Sequence, residues 1–149
     1  MPVKPLYAAS LFALTLGVGT MTVRAEDPTA LAVRADDPAI QWAPCPPFFA
    51  STCRLGVLHG TPDQPNSDVF FKVAPDEVLP HHWHSSAERM VLVAGRLEVQ
   101  YDGQAAVTLE PGMYAYGPPK LPHVGQCVSD DHCVLFIAFE GPIDAHEVE

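Results

Sequence analysis

Three histidines and one glutamate stand in a pattern that could bind a metal ion: His82, His84, Glu88 and His123. His82 and His84 are two residues apart, so on an extended strand both side chains leave from one face, with Cα atoms roughly 6.6 Å apart. Two imidazoles at this spacing can both approach one ion at about 2.1 Å. Glu88 follows a link of small residues, 85–87, which could turn the chain and return a carboxylate to the same centre.

His123 comes later in the chain, directly after a segment with three prolines, 118–122, which fixes the approach of the strand that it would begin. Neutral imidazoles and a carboxylate suit divalent Fe, Mn, Co, Ni, Cu and Zn alike, so the ligands alone do not choose the metal. His81 is adjacent to His82 and should point to the other face of the strand. The remaining histidines are predicted to lie at the surface: His59, His132 and His146.

Short segments rich in Val, Leu, Phe and Tyr must position these residues, and turn residues separate one segment from the next. The predicted strands are 54–58, 68–73, 89–94, 97–101, 105–109, 113–116, 123–127 and 133–139. Several of their aromatic and aliphatic residues, Tyr101 among them, could line a pocket, but such residues on barrel strands are predicted to pack in the core by default. No useful helical period follows residue 26, so the pattern predicts a single all-β domain, a sandwich or closed barrel that covers its sheet edges.

The first 25 residues resemble a signal peptide. Lys4 supplies a positive charge, an apolar stretch runs from Leu6 to Val23, and Ala25 ends a small-residue cleavage site. A retained membrane anchor is the alternative, because 18 apolar residues are at the lower limit for spanning a bilayer. We expect a mature protein that begins at Glu26, is periplasmic or secreted and has no stable membrane association. An N-terminal arm, 26–44, would precede the barrel domain, 45–149.

Four cysteines in a chain that reaches an oxidising compartment predict two disulfides. Three pairings are possible, and proximity favours Cys45 with Cys53 and Cys127 with Cys133. The second pair encloses a polar turn between two apolar strands, so it would close a hairpin. Metal binding by these cysteines is the weaker alternative, because neither spacing is the C-x-x-C of a zinc ribbon.

The net charge of the chain is −10, and removal of residues 1–25 with Lys4 and Arg24 makes it −12. Nucleic acid is excluded as a partner, because neutralising phosphates requires a basic face and the sequence shows none. Solubility explains an acidic surface of this kind.

The pattern resembles the cupin family. Its first motif, G-x5-H-x-H-x3,4-E-x6-G, is matched by His82, His84, Glu88 and Gly95, with Asp76 at the leading glycine. Its second motif, G-x5-P-x-G-x2-H-x3-N, is matched by Gly112, Pro118 and His123. Lys120 replaces the inner glycine of that motif and Cys127 its asparagine. These departures concern the shape of loops rather than the ligands.

The resemblance implies a jelly-roll barrel with one divalent metal ion bound inside by three histidines and one glutamate. It implies either a metal-dependent oxidoreductase, similar to dioxygenases of phenolic or dicarbonyl compounds, or a non-catalytic periplasmic protein that binds a metal or a small ligand. In the enzyme, Glu88 would be a ligand or a proton acceptor. An exported chain would acquire its ion outside the cytoplasm, where the order of affinities favours copper or zinc. The partner is a small molecule, and a homodimer is left open.

Overall fold

The computed structural model describes residues 30–149. The predicted signal peptide, 1–25, and the first residues of the predicted arm lie outside the described residues. Residues 33–149 form one compact unit. Within residues 30–149 no helix is long and apolar enough to cross a membrane.

The compact unit is built from strands alone. Their bounds are β1 Trp42–Pro44, β2 Arg54–His59, β3 Ser67–Val73, β4 Val78–Trp83, β5 Glu88–Ala94, β6 Leu97–Tyr101, β7 Val107–Leu109, β8 Tyr114–Gly117, β9 His123–Cys127, β10 Cys133–Phe139 and β11 His146–Glu147. A six-stranded antiparallel sheet has the order β1-β2-β3-β10-β5-β8, and a five-stranded one has the order β11-β4-β9-β6-β7. The predicted all-β, jelly-roll barrel of a single domain is confirmed.

Alternation of side chains along β10 shows how the sequence builds the core. Leu135, Ile137 and Phe139 are buried between the sheets, because successive side chains of a strand point to opposite faces. Phe136 lies on the outer face of the larger sheet, where its ring meets Phe70 edge to face with centroids 6.4 Å apart. The inner faces of both sheets therefore form one apolar interior.

Three strands of the structure are absent from the predicted list: β1, β4 and β11. Strand β4 has the sequence VLPHHW, and its proline and adjacent histidines obscure the alternation of a strand. Strand β1 falls in the predicted arm and pairs with β2 in the register Trp42 with Gly56. Strand β11 is only two residues long and pairs with the end of β4. Polar or very short strands lack the apolar signal on which the prediction depended.

Two residues that replace motif glycines adopt a left-handed backbone: Asp76 has φ 59° and Lys120 has φ 61°. The loops thus keep the conformation that glycine adopts without strain. Where the glycine is present, at Gly95 with φ 81°, it is also needed for space, because a Cβ there would lie 2.9 Å from Cys133 Cα. Asp76 and Lys120 thus adopt the backbone conformation that glycine favours at these positions.

Both disulfides favoured by proximity are present, Cys45 with Cys53 and Cys127 with Cys133, and none of the four cysteines is free. The second disulfide joins β9 of the smaller sheet to β10 of the larger one, so the predicted hairpin is wrong. Strand β9 pairs with β4 and β6, and β10 pairs with β3 and β5. The first disulfide closes the loop between β1 and β2. One bond therefore connects the two sheets, and the other constrains a loop beside the barrel interior.

Candidate metal centre

Neighbouring strands of the smaller sheet bring the three predicted histidine ligands together. His82, near the end of β4, is the direct cross-strand partner of His123 at the start of β9, and His84 follows β4 immediately. All three rings are buried. The ring centroid of His82 lies 4.9 Å from that of His84 and 4.3 Å from that of His123. One nitrogen from each ring lies within 4.8 Å of the other two, so the triad could hold a metal ion.

Backbone carbonyl groups fix which nitrogen of each ring is free. The Nδ1–H of His82 donates to the carbonyl of Pro80 at 2.6 Å, and that of His123 donates to the carbonyl of Leu121 at 3.3 Å. His84 Nδ1 donates to the carbonyl of Asp144. The Nε2 atoms are therefore left with lone pairs, which is the tautomer that a metal-binding histidine requires.

Glu88 reaches the same centre from the opposite sheet, as the first residue of β5. Its Oε2 lies 3.3 Å from His84 Nε2 and 3.9 Å from His123 Nε2. Burial raises the pKa of Glu88, and the nearby His84 acts in the opposite direction. Within the described residues, neither His84 Nε2 nor Glu88 Oε2 has a hydrogen-bond partner. Buried polar atoms are almost always paired, so these unpaired atoms fit a site for a cation.

Burial also keeps two of the histidines neutral. It lowers the pKa of His82 to about 4 and that of His123 to about 3, with the neighbouring histidines adding to the shift at His123. Both rings are therefore uncharged at neutral pH, and neutral imidazole is the form that binds a metal ion. Neither His82 nor His123 needs to lose a proton before it binds an ion.

The centre forms one wall of a cavity of ≈ 90 Å³ inside the barrel. The rest of the wall is mostly apolar and comes from both sheets, including Leu79, Val99, Met90, Leu135, Ile137 and Phe139. Phe49, in the loop closed by the disulfide Cys45–Cys53, packs edge to face on His82 with centroids 4.9 Å apart. The arrangement places the polar centre next to a small, enclosed apolar space.

The structure places the other histidines away from the centre, as predicted. His81 points to the outer face and its Nε2 lies 2.9 Å from Asp102 Oδ1. Trp83 shares that face and stacks on His146 with centroids 4.1 Å apart. His59 and His132 are exposed.

Three residues at the centre escaped the sequence prediction. The backbone of Asp144 fixes His84 across 60 residues of sequence, a distance at which no motif links them. Gly117 pairs with Glu88 and lies so close to Tyr101 that a Cβ would be 2.7 Å from its hydroxyl oxygen. Tyr101, predicted as a core residue, is buried but lines the cavity, and its hydroxyl has no partner among the described residues. Burial, followed by the charge of Glu88, raises the pKa of Tyr101.

Comparison with known proteins identifies the family to which this site belongs. The Cupin_2 model, described as a cupin domain, matches residues 69–139, which include all four predicted ligands. The chain therefore contains a cupin domain over residues 69–139. No curated protein matches the sequence at a significant level.

Solved structures share the cupin fold. A cupin-2 domain from Rhodospirillum rubrum has 16% identity and a TM-score of 0.63, covering 83% of each chain. DMSP lyase DddQ from Ruegeria pomeroyi DSS-3 has 16% identity and a TM-score of 0.64, and the match covers 73% of this cupin and 61% of the lyase. Oxalate decarboxylase from Bacillus subtilis, which has Mn(II) centres, has 16% identity and a TM-score of 0.58, covering 68% of this cupin and 29% of the decarboxylase. The cupin thus spans less than two thirds of either enzyme, and these identities establish the fold alone.

Proposed function

We propose that this cupin is an exported, metal-dependent oxidoreductase of the dioxygenase type that acts on a small organic molecule. His82, His84, His123 and Glu88 would hold one divalent transition metal ion. The observation that carries the proposal is the set of free Nε2 lone pairs beside an unpartnered buried carboxylate. This donor set suits divalent Cu, Zn, Fe, Mn, Ni or Co.

The enclosed cavity favours an enzyme or a ligand-binding protein over a metal-storage protein. Its apolar wall provides room for a small organic molecule directly beside the ligands. When bound, a divalent ion would act as a Lewis acid that lowers the pKa of an oxygen on the substrate. The mostly apolar wall lowers the local dielectric, which strengthens electrostatic interactions within the cavity.

Glu88 is the residue that would accept a proton in the reaction. It is the carboxylate that lies between two of the histidines, and burial raises its pKa. A carboxylate placed beside the bound molecule can accept a proton from an oxygen or carbon of the substrate. The Nε2 atoms of His84 and His123 lie within 4 Å of its Oε2, so one ion could be held by all three groups.

Export is supported by the two disulfides, since disulfides persist in oxidising compartments and are rare in the cytoplasm. Thiol titration of the natively purified protein under denaturing, non-reducing conditions should find no free thiol, with the mature chain beginning at or near Glu26. Four free thiols would remove the basis for export and leave the metal centre unaffected.

The test of the reaction is oxygen consumption by protein reconstituted separately with Fe(II), Mn(II), Cu(II) or Zn(II). Small enolisable carbonyl compounds and phenols serve as candidate substrates. At least one metal form should consume oxygen with a member of this set, and Glu88→Gln should keep its metal but lose the activity. Stoichiometric metal with ligand binding but no turnover in any form would instead assign a non-catalytic binding protein.

A further inference from the structure

The segment that follows β10, residues 143–148, runs along the end of β4 beside the metal centre, and we call it the strap. Strand β11 lies within the strap and pairs with the end of β4. The backbone N–H of Val148 donates to the carbonyl of His81 at 2.9 Å. The backbone N–H of Ile143 donates to the carbonyl of Pro62 at 2.7 Å. The strap is therefore attached at both of its ends.

The middle of the strap forms part of the cavity wall. Ile143 and Ala145 line the cavity and pack on the core. Asp144 lies between them, and its Oδ1 accepts the backbone N–H of Ser85 in the link that follows β4, at 2.8 Å. Its Oδ2 lies 3.2 Å from His146 Nε2. Apolar contacts and hydrogen bonds together hold the strap against this link.

His84 depends on the strap for the orientation of its ring, unlike the other two histidines. The Nδ1–H groups of His82 and His123 donate to carbonyls two residues earlier in the chain. The Nδ1–H of His84 donates to the carbonyl of Asp144, 60 residues later. The backbone of His84 has a separate restraint, because its carbonyl accepts the N–H of Lys120 at 2.8 Å. Without the strap, the ring of this ligand would lose the acceptor that fixes its tautomer and orientation.

We propose that Asp144 is a positioning residue and that docking of the strap is coupled to metal binding through His84. This proposal rests on the proposed metal centre. Such a coupling is reciprocal. If the docked strap raises the affinity of the centre for an ion, a bound ion must favour the docked strap by the same factor. The affinity for the ion and the opening of the strap are therefore two independent measurements of one coupling.

Substitution of Asp144 tests the effect of the strap on affinity. Asp144→Ala removes the acceptor of the Ser85 N–H and loosens the strap where its carbonyl meets His84. The affinity for Zn(II), measured by competition with a chromophoric chelator, should fall about tenfold, the lower end of what is lost when a group that supports a metal ligand is replaced. Unchanged affinity in Asp144→Ala would refute the positioning role.

Two further variants separate the hydrogen bond from the charge of the carboxylate. Asp144→Asn keeps an oxygen for the Ser85 N–H and should retain most of the affinity. A loss as large as that in Asp144→Ala would show that the charge acts, and not the position of the strap. Asp102→Ala is the matched control, because Asp102 Oδ1 lies 2.9 Å from His81 Nε2 on the outer face of β4. It should leave the affinity unchanged, and a loss equal to that in Asp144→Ala would contradict the proposal.

Hydrogen exchange in the unsubstituted protein tests the effect of the ion on the strap. The amides of Ile143 and Val148 bond to carbonyls of residues that are not ligands, so their exchange reports local opening of the strap. Zn(II) is a d¹⁰ ion, which allows amide exchange to be followed by NMR. Saturating Zn(II) should slow both amides at least about tenfold, because a bound ion suppresses only those openings that weaken its own binding. The slowing should be smaller in Asp144→Ala.

The two proposals fail differently. A protein that binds no Zn(II) contradicts the metal centre itself. A protein that binds Zn(II) while the exchange of both strap amides stays unchanged contradicts only the coupling. Absence of turnover with every metal would contradict the oxidoreductase, whereas slowed exchange and weakened affinity in Asp144→Ala would still support the coupling.

Discussion

The two sheets of the barrel contribute different things to its interior. The five-stranded sheet carries the three histidines and Tyr101, and backbone carbonyls near β4 and β9 fix two of the imidazoles. The six-stranded sheet contributes Glu88 at the first residue of β5, while most of its other inward side chains are apolar, as in Leu135 and Ile137. One sheet thus provides the chemistry and the other most of the packing.

This division separates stability from function to an unusual degree for a small domain. Buried polar side chains cost free energy unless they are paired or bind an ion, whereas buried leucines and isoleucines stabilise in proportion to the apolar area that they remove from water. Substitutions of the histidines in the smaller sheet should therefore mainly reduce metal binding. Substitutions of apolar residues in the larger sheet should mainly reduce the free energy of unfolding.

The largest effect is expected for the histidines of the smaller sheet. Replacing His82, His84 or His123 by Ala removes a neutral donor and the geometry that it supports. Each variant should lose most of its bound metal. The affinity for the metal should fall by more than about a hundredfold, because losing a residue that only hydrogen-bonds to a metal ligand already lowers the affinity by up to that factor. Metal analysis after dialysis measures this. Stoichiometric metal in two of the three variants would refute the assignment.

The converse substitution belongs to the larger sheet. Leu92 on β5 is fully buried, and Leu92→Ala should lower the free energy of unfolding by about 2–5 kcal/mol, because it removes apolar contacts and leaves a cavity. The folded variant should still bind one equivalent of metal. Chemical denaturation and metal analysis of the same sample test both statements. Parallel loss of stability and metal would show that the sheets are not separable in this way.

Acid should destabilise the metal-free protein through the smaller sheet. The pKa of His82 is lowered from 6.5 to about 4, so below pH 6.5 the unfolded chain binds protons that the folded one does not. The free energy of unfolding of the metal-free protein should therefore fall between pH 6.5 and about pH 4. The full pKa shift of His82 corresponds to a loss of roughly 3 kcal/mol, and His123 acts in the same direction.

Glu88 opposes this effect, because its raised pKa makes the folded state bind a proton first. The substitution Glu88→Gln removes that contribution, so the free energy of unfolding should fall more steeply with decreasing pH than in the unsubstituted protein. Urea denaturation of both chelator-treated proteins between pH 7 and 4 measures the difference. His59→Ala replaces an exposed histidine and serves as the control, with no change in slope. A flat profile in the Glu88→Gln background would contradict the buried neutral histidines.

The bond between the sheets should have an intermediate effect. Cys127→Ser with Cys133→Ser opens a loop with a sequence separation of 6 and should reduce stability by roughly 2 kcal/mol through the entropy of the unfolded chain. The melting temperature should fall in both metal-free and metal-loaded protein. Metal affinity should weaken as well, because β9 begins with His123. Unchanged affinity would mean that the disulfide does not position this ligand.

The sequence predicted one sheet better than the other, for a physical reason. Seven of the eight predicted strands match strands of the structure within one residue at each end, and the eighth, 105–109, is shortened to Val107–Leu109. Strand β4, which carries His82, was missed because its polar sequence serves the centre rather than the core. Motif spacing nevertheless named the three histidines whose nitrogens come together there, and Glu88, whose Oε2 lies within 4 Å of two of them.

Contacts between distant segments could not be predicted. The link from Asp144 to His84 and the approach of Gly117 to Tyr101 depend on how the sheets close, and the sequence contains no local signal for either. A buried tyrosine without a hydrogen-bond partner also looks like an ordinary core residue in the sequence. These tertiary contacts become visible only in the folded barrel.

The smallest effect is expected at Lys120, in the loop that joins the larger sheet to β9. Its φ of 61° is a left-handed conformation that destabilises a residue with a Cβ by about 1–2 kcal/mol. Lys120→Gly removes this strain but gains flexibility in the unfolded state, so we expect a net stabilisation of roughly 0.5 kcal/mol.

Lys120→Ala is the matched control, because it removes the exposed side chain and keeps the strain. The backbone N–H of residue 120, which donates to the carbonyl of His84 at 2.8 Å, is retained in both variants, so metal affinity should not change. Equal stability of the two variants in chemical denaturation would show that the backbone at this position is not strained.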